Sequence, residues 1–375
     1  MPGNPVPGAP SPGNTRGPLF DQQGMKLGIF GINVSAAGGL TKDPSRHEID
    51  WDGNVRPVQQ AERAGFEAAI PFARWRGFEG ETNPWGRSFE TYTWAAGIAA
   101  HTTRICVFAT SHVLTVSPVF AAKQLATVDA IAGGRAGLNV VAGWFERELA
   151  MFGVNHLEHD ERYEYLEEWM DIVGALWRED GDVKYSGKWL SLDGGYLQPK
   201  PVQRPRPPVM NAANSPRGHE FAARCADIAF VSAATTDAAA PQAREVRNRA
   251  EAYGRELQVW MSAAVVCADT DREAGALVRR YQDLADEQAV RNSMDWTMGG
   301  AMQMAPALRA HLAKSMASTP AMPLVGSASR VAEQIAALAD AGIDGLALVW
   351  MNFSEGLDRF ERDVMPLLKR HGVRQ

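Results

Sequence analysis

The chain has 375 residues, 45% of them hydrophobic and 22% charged, with a net charge of −6 at pH 7 and a pI near 5.8. That is ample material for a buried core, and the acidic balance without any basic cluster excludes a general nucleic-acid or membrane-surface role. No apolar run approaches the roughly 18 residues a spanning helix needs, and Cys106, Cys225 and Cys267 stand singly, as reduced cytoplasmic thiols do.

Residues 1–24 hold six prolines and five glycines. They predict a disordered tail, because so little apolar surface cannot offset the entropy of ordering it. The remaining 25–375 form one domain of alternating elements. Strands are predicted at 26–33, 67–73, 105–110, 136–143, 207–213, 227–233, 259–268 and 345–352, each followed by a helical segment. Ser117-Pro118 opens one helix with a favoured cap and first-turn residue. The clearest helix, 161–177, carries Leu166, Trp169, Met170, Val173, Leu176 and Trp177 on one face.

Eight strand–helix units predict an α/β fold, a (β/α)8 TIM barrel with insertions; a doubly wound open sheet ordinarily uses fewer strands. One insertion, near 183–206, reads as a hairpin. A second, near 292–322, is rich in methionine and lacks clean periodicity, and reads as a lid or a plain surface excursion.

No histidine, cysteine or carboxylate set has metal-ligand spacing, and no Walker loop, G-x-G-x-x-G or G-x-S-x-G follows a strand, so no metal site is expected. Chemistry then falls to an organic cofactor. In a parallel barrel the working groups come from the C-terminal strand ends, which selects Phe72 to Arg74, Thr110 to His112, Asn139 and 211–215. Asn139 sits among Leu138, Val140 and Val141, where an unpaired amide costs roughly 1–3 kcal/mol; a ligand and an internal partner satisfy it equally well. Ser215-Pro216-Arg217 at a helix start suits a phosphate or is a plain cap, and Arg162 and Tyr163 stand at another helix start. Trp75 and Trp144 lie just past strand ends, where an aromatic walls a pocket. His112 is a candidate proton donor or acceptor titrating in a usable range.

Three segments carry a resemblance: AAKQLATVDAIAGGR (121–135), LNVVAGWFERE (138–148) and LEHDERYEYLEEW (157–169). They are similar, in order and over 26–368, to the bacterial luciferase-like flavin-dependent monooxygenases. RWRGFEGETNPW (74–85) resembles the pyrimidine monooxygenases, while NVSAAGGL (33–40), GWFERE and LEHDERY resemble the dimethylsulfone monooxygenases. The resemblance implies a barrel enzyme using O2 and reduced FMN through a flavin-peroxide. It also implies delivery of the FMN by a separate NAD(P)H:flavin reductase, and a homo-oligomer, dimer or tetramer. Carried over by position, it implies flavin contacts at Ala73, Arg74, Asn139, Glu148, Arg162, Tyr163 and Ser215. Thr110 and Asn139 would face the oxygen-reacting side, with Phe72 in the substrate pocket; the residues themselves add His112 as a third catalytic candidate and Trp75 and Trp144 as substrate-pocket walls. Arg74 and Phe72 replace a Lys and a Met of the pyrimidine enzymes. The substrate reads first as a pyrimidine-like heterocycle, with small sulfones or sulfonates, or a deazaflavin-dependent dehydrogenation on the same fold, as alternatives.

Overall fold

The computed structural model describes residues 18–21, 24–212, 215–297 and 305–375. Eight parallel strands close into a ring: β1 (Lys26–Phe30), β2 (Ala68–Ile70), β3 (Cys106–His112), β4 (Ala136–Val141), β5 (Val209–Ala212), β6 (Ile228–Phe230), β7 (Gln258–Ala268) and β8 (Gly345–Trp350). The ring closes where Ile228 pairs with Gln258, and Gly345 pairs with both Trp260 and Lys26. These are the eight segments that alternation in the sequence predicts, with the same chain order and the helices outside.

Alternation along each strand divides the barrel. Leu27, Ile29, Val107, Leu138, Leu346 and Leu348 face the helix layer. Ala68, Ile70, Phe108, Met210, Ile228, Phe230, Trp260 and Ala347 fill the lower interior. A large ring inside needs a gap opposite: a Cβ on Gly137 would lie 2.5 Å from Phe108. The same two-residue period carries Thr110 and His112 on β3, and Asn139 on β4, to the inner surface above this plug.

Ordered structure reaches further upstream than composition suggests. Pro18–Phe20 forms a single 3-10 turn, Leu19 is fully buried in the lower barrel interior, and its carbonyl accepts from Gln258 Nε2 at 2.7 Å. The disordered-tail boundary at residue 24 is therefore corrected: Leu19 has an apolar cavity to fill, and burying it offsets the cost of ordering its neighbours.

The helix His159–Arg178 starts with a capping box between Glu158 and Glu161. Ser117 occupies its expected N-cap position, yet its side chain makes no capping bond; Pro118 alone marks that start. The hairpin pairs Val183–Ser186 with Ser191–Gly195. Glu168 holds it, accepting from the backbone N–H groups of Lys188, Trp189 and Leu190 at 2.7, 2.9 and 2.8 Å.

The segment expected as a lid is more structured than its sequence suggests. Helices Glu287–Thr297 and Pro306–Ser318 flank residues 298–304, which lie outside the described residues. Val290, Met294 and Ala317 pack with Leu40 and Phe78, against Trp85, Trp144 and Trp296, over the loops that follow β1, β2 and β4. The segment ends in a strand that periodicity missed, Met322–Ser327, which extends the sheet along the upper half of β7 from Ala263 to Ala268. Pro323 and Gly326 mask its strand character in sequence.

Candidate active site

A cavity of about 270 Å³ opens at the C-terminal mouth of the barrel. Phe30, Pro71, Phe72, Val141, Val349, Pro320 and Ala321 give it apolar walls, and Arg74, Thr110, His112, Asn139 and Ser262 its polar groups. Ala73, Trp85 and Trp144 complete that part of the wall. Phe72 is fixed from three sides. Its ring meets Phe30 edge-on at 4.5 Å and Trp85 at 5.3 Å, and Gly31, at φ +73, leaves no room for a Cβ, which would lie 2.7 Å from the ring.

Thr110 and Asn139 are register partners on β3 and β4. Thr110 Oγ1 donates to the Pro71 carbonyl at 2.6 Å and accepts from Asn139 Nδ2 at 3.2 Å. Asn139 Oδ1, on a residue 4% exposed, has no partner among the described residues. The internal partner that the sequence left open therefore satisfies only half of this amide.

Arg74 is buried between two indoles, its guanidinium carbon 5.0 Å from the Trp85 ring and 4.4 Å from the Trp144 ring. Its Nη1 donates to Glu148 Oε2 at 3.3 Å, while Nε is unpartnered. Burial lowers the guanidinium pKa and Glu148 opposes that shift; arginine remains charged. Glu148 is itself buried, and its Oε1 accepts from the backbone N–H groups of Trp75 and Arg76 at 2.8 and 3.1 Å. The carboxylate thus ties the loop after β2 to the short helix Glu146–Met151.

Two expectations are corrected here. His112 Nδ1 lies 3.5 Å from Glu148 Oε2, but burial, aided by the Arg74 charge, pushes the imidazole pKa down to about 3. It is a neutral hydrogen-bonding ring at physiological pH and does not titrate there. The facing carboxylate favours the Nδ1–H tautomer, leaving Nε2 as acceptor. Trp75 does not line the cavity: its side chain is 44% exposed and packs edge-on against Phe152 at 5.1 Å. Only its backbone serves the site, through Glu148, because the loop past β2 turns the side chain outward.

A second group gathers the remaining predicted residues. Ser215 caps the helix Pro216–Cys225, accepting from Gly218 N at 3.1 Å. The Tyr163 hydroxyl bonds to Ser215, and burial raises the phenol pKa. Arg162 donates from Nη1 to the Gly143 carbonyl past the end of β4, with Nε unpartnered. Arg217 is engaged by Glu167 at 3.0 Å. His159, absent from the sequence reading, joins this group: its Nε2 is 3.1 Å from Ser215 Oγ and its ring lies 5.3 Å from Tyr163. Its spacing of one helical turn from Tyr163 is the signal that places both on one side of a helix start. Hydroxyls, a guanidinium and an imidazole at a helix N-terminus form a donor set for an anion.

No helix among the described residues is long and apolar enough to cross a membrane. A closed parallel barrel, with its polar inner residues gathered at the C-terminal mouth and a donor-rich corner beside it, defines a (β/α)8-barrel enzyme. The sequence model of the luciferase-like monooxygenases matches residues 25–345, and the chain belongs to that family. Among curated relatives, the FMNH2-dependent dimethylsulfone monooxygenase of Pseudomonas putida is 31% identical over 354 residues, covering 92% of this chain and 96% of its own. The pyrimidine monooxygenase RutA of Acinetobacter baylyi is 30% identical over 356 residues, covering 92% and 95%. The solved structure of riboflavin lyase RcaE, with modified FMN and riboflavin, superposes with a TM-score of 0.84 at 22% identity, covering 94% of this chain and 93% of that one. DmoA from Hyphomicrobium sulfonivorans gives 0.83 at 20% identity, covering 94% and 90%.

Proposed function

We propose that this protein is the oxygenase of a two-component system: it takes reduced FMN from a separate flavin reductase and uses O2 to oxidise a small organic substrate. A pyrimidine-like nitrogen heterocycle is the first candidate and a small sulfone or sulfonate the second. The observation that carries the reading is the pairing of two sites: a largely apolar cavity holding an unsatisfied Asn139 Oδ1, and a donor cluster at Ser215, Tyr163, Arg162 and His159. A ring with a phosphorylated tail fits that combination. The orphaned amide oxygen wants a donor such as a flavin ring N–H, and the orphaned Arg162 Nε wants an anion.

When bound, reduced FMN supplies the electron pair that activates O2. The chain supplies the rest. Ser215, Tyr163, Arg162 and His159 would hold the phosphate, while Ala73, Arg74 and Asn139 would position the ring. Thr110 keeps its proton on the Pro71 carbonyl and presents its oxygen to Asn139, which fixes the amide's orientation. His112 stands by as a neutral donor–acceptor. Phe30, Phe72, Val141 and Val349 keep water from the reacting atoms, and the helices flanking 298–304 roof the mouth.

The test combines the purified protein with FMN, a flavin reductase, NADH and air, in the presence of uracil or dimethyl sulfone. The reading expects oxygen uptake matched by loss of one of these substrates. Anaerobic substrate oxidation with an oxidised deazaflavin as hydride acceptor would replace it with a dehydrogenase.

A further inference from the structure

We propose that the cavity is built for an uncharged substrate carrying a hydrogen-bond acceptor, read by Arg74 and Trp85, and that Glu148 is the residue that keeps anionic substrates out. This rests on the oxygenase reading above and narrows it to one chemical class.

Charge and donors on the page carry the inference. Arg74 and His112 are the only titratable side chains among the described residues lining the cavity. His112 is neutral, since its pKa lies near 3. The single positive charge of Arg74 is matched by Glu148, buried at 1% exposure and 3.3 Å away. The described lining therefore offers a substrate no net charge. A carboxylate or sulfonate entering it would shed its water without gaining a counter-ion, which is heavily unfavourable. A carbonyl or sulfonyl oxygen loses far less.

Donors outnumber acceptors at one corner. Among the described residues Glu148 is the only acceptor for Arg74, whose Nε is unpartnered. The Trp85 indole Nε1, also unpartnered, belongs to the ring that stacks 5.0 Å from the same guanidinium. Trp85 is held at φ 63, a left-handed conformation that a bulky side chain adopts only when its surroundings enforce it. Its own N–H donates to the Ser35 carbonyl at 2.9 Å, and Phe72 and Phe78 pack its ring at 5.3 and 4.9 Å. Both N–H groups are enclosed beside the cavity, and neither has an acceptor among the described residues.

The experiment uses matched ligand pairs on the FMN-loaded protein: dimethyl sulfone against methanesulfonate, and uracil against its 6-carboxylate. Calorimetry reads binding, and reductase-coupled assays read KM. The wild type is expected to favour the uncharged member of each pair by about 100-fold, the scale of leaving a charge uncompensated in a closed site. Glu148→Gln uncovers the Arg74 charge and is expected to cut that preference by about tenfold or more. Trp85→Phe keeps the stacked ring and deletes one N–H, raising KM for the uncharged member about tenfold. Equal or tighter binding of the anionic members by the wild type overturns the inference, as does binding of neither. Should Glu148→Gln fail to fold, by circular dichroism, the wild-type pairs and Trp85→Phe still decide. Loss of FMN binding or of oxygen dependence in the wild type would sink the oxygenase reading; preference for anions with both intact would sink this inference alone.

Discussion

Asn139 and Thr110 face each other across β3 and β4, joined by a 3.2 Å hydrogen bond that leaves one amide oxygen unsatisfied inside the barrel mouth. Thr110 cannot repair this, because its proton is already given to Pro71. An amide so arranged is oriented by the protein and completed by something else. Asn139→Ala removes an unsatisfied acceptor and one buried hydrogen bond, so its stability cost should be small, about 1 kcal/mol. Substrate oxygenation should fall about 100-fold, the scale seen when a single positioned donor or acceptor is removed from a reacting centre. Thermal melts beside coupled turnover assays check both halves.

The donor cluster around Ser215 predicts discrimination between two flavins. Ser215→Ala, Tyr163→Phe and His159→Gln should each weaken FMN binding about tenfold, one charge-assisted hydrogen bond apiece. Riboflavin, which lacks the phosphate, should bind wild type and variants alike. Fluorescence titration with both flavins gives the comparison directly, and equal losses for both would place the phosphate elsewhere.

His112 links pH to stability. Its folded pKa, near 3, lies below the 6.5 of an unfolded imidazole. The unfolded chain therefore binds a proton between these values that the fold refuses. Above pH 6.5 the group has no effect. As pH falls through that window toward 3, the fold loses stability, by about 2 kcal/mol at pH 5. His112→Asn should flatten the decline of Tm between pH 6.5 and 4 relative to wild type. The activity profile should show no inflection near pH 6.5 from this residue.

Asp286 fastens the roof. Its carboxylate accepts from Thr82 N at 2.7 Å and Thr82 Oγ1 at 2.9 Å, while its own N–H donates to Leu40 O at 3.0 Å. Arg147 adds a second tie, 4.0 Å over the Trp296 ring. Asp286→Ala strands the half-buried Thr82 donors, at a cost of about 1 kcal/mol. Hydrogen exchange at 77–86 and 285–297 should rise together, and hydrogen peroxide should increase relative to product as the site wets.

The barrel was legible because alternation and helix spacing are local. Thr110, His112 and Asn139 followed from their places near the C-terminal ends of predicted strands, and the two-residue period of those strands points them inward. Loops obey no such period. Trp75 and Trp85 both lie past β2, yet the chain turns Trp75 to solvent and holds Trp85 over Arg74 through a left-handed backbone that a turn sequence such as Asn-Pro-Trp-Gly does not announce. Met322–Ser327 was hidden by its proline and glycine, and Leu19 by the composition around it. The neutrality of His112 depends on burial and on Arg74, distant in sequence, so no local pattern carried it.

A crystal structure of the protein with FMN bound tests the account most directly. It predicts the phosphate within hydrogen-bonding reach of Ser215, Tyr163 and Arg162, and the ring in the barrel mouth against Asn139. A flavin lying elsewhere, with the Ser215 cluster and the Asn139 amide both untouched, would contradict it.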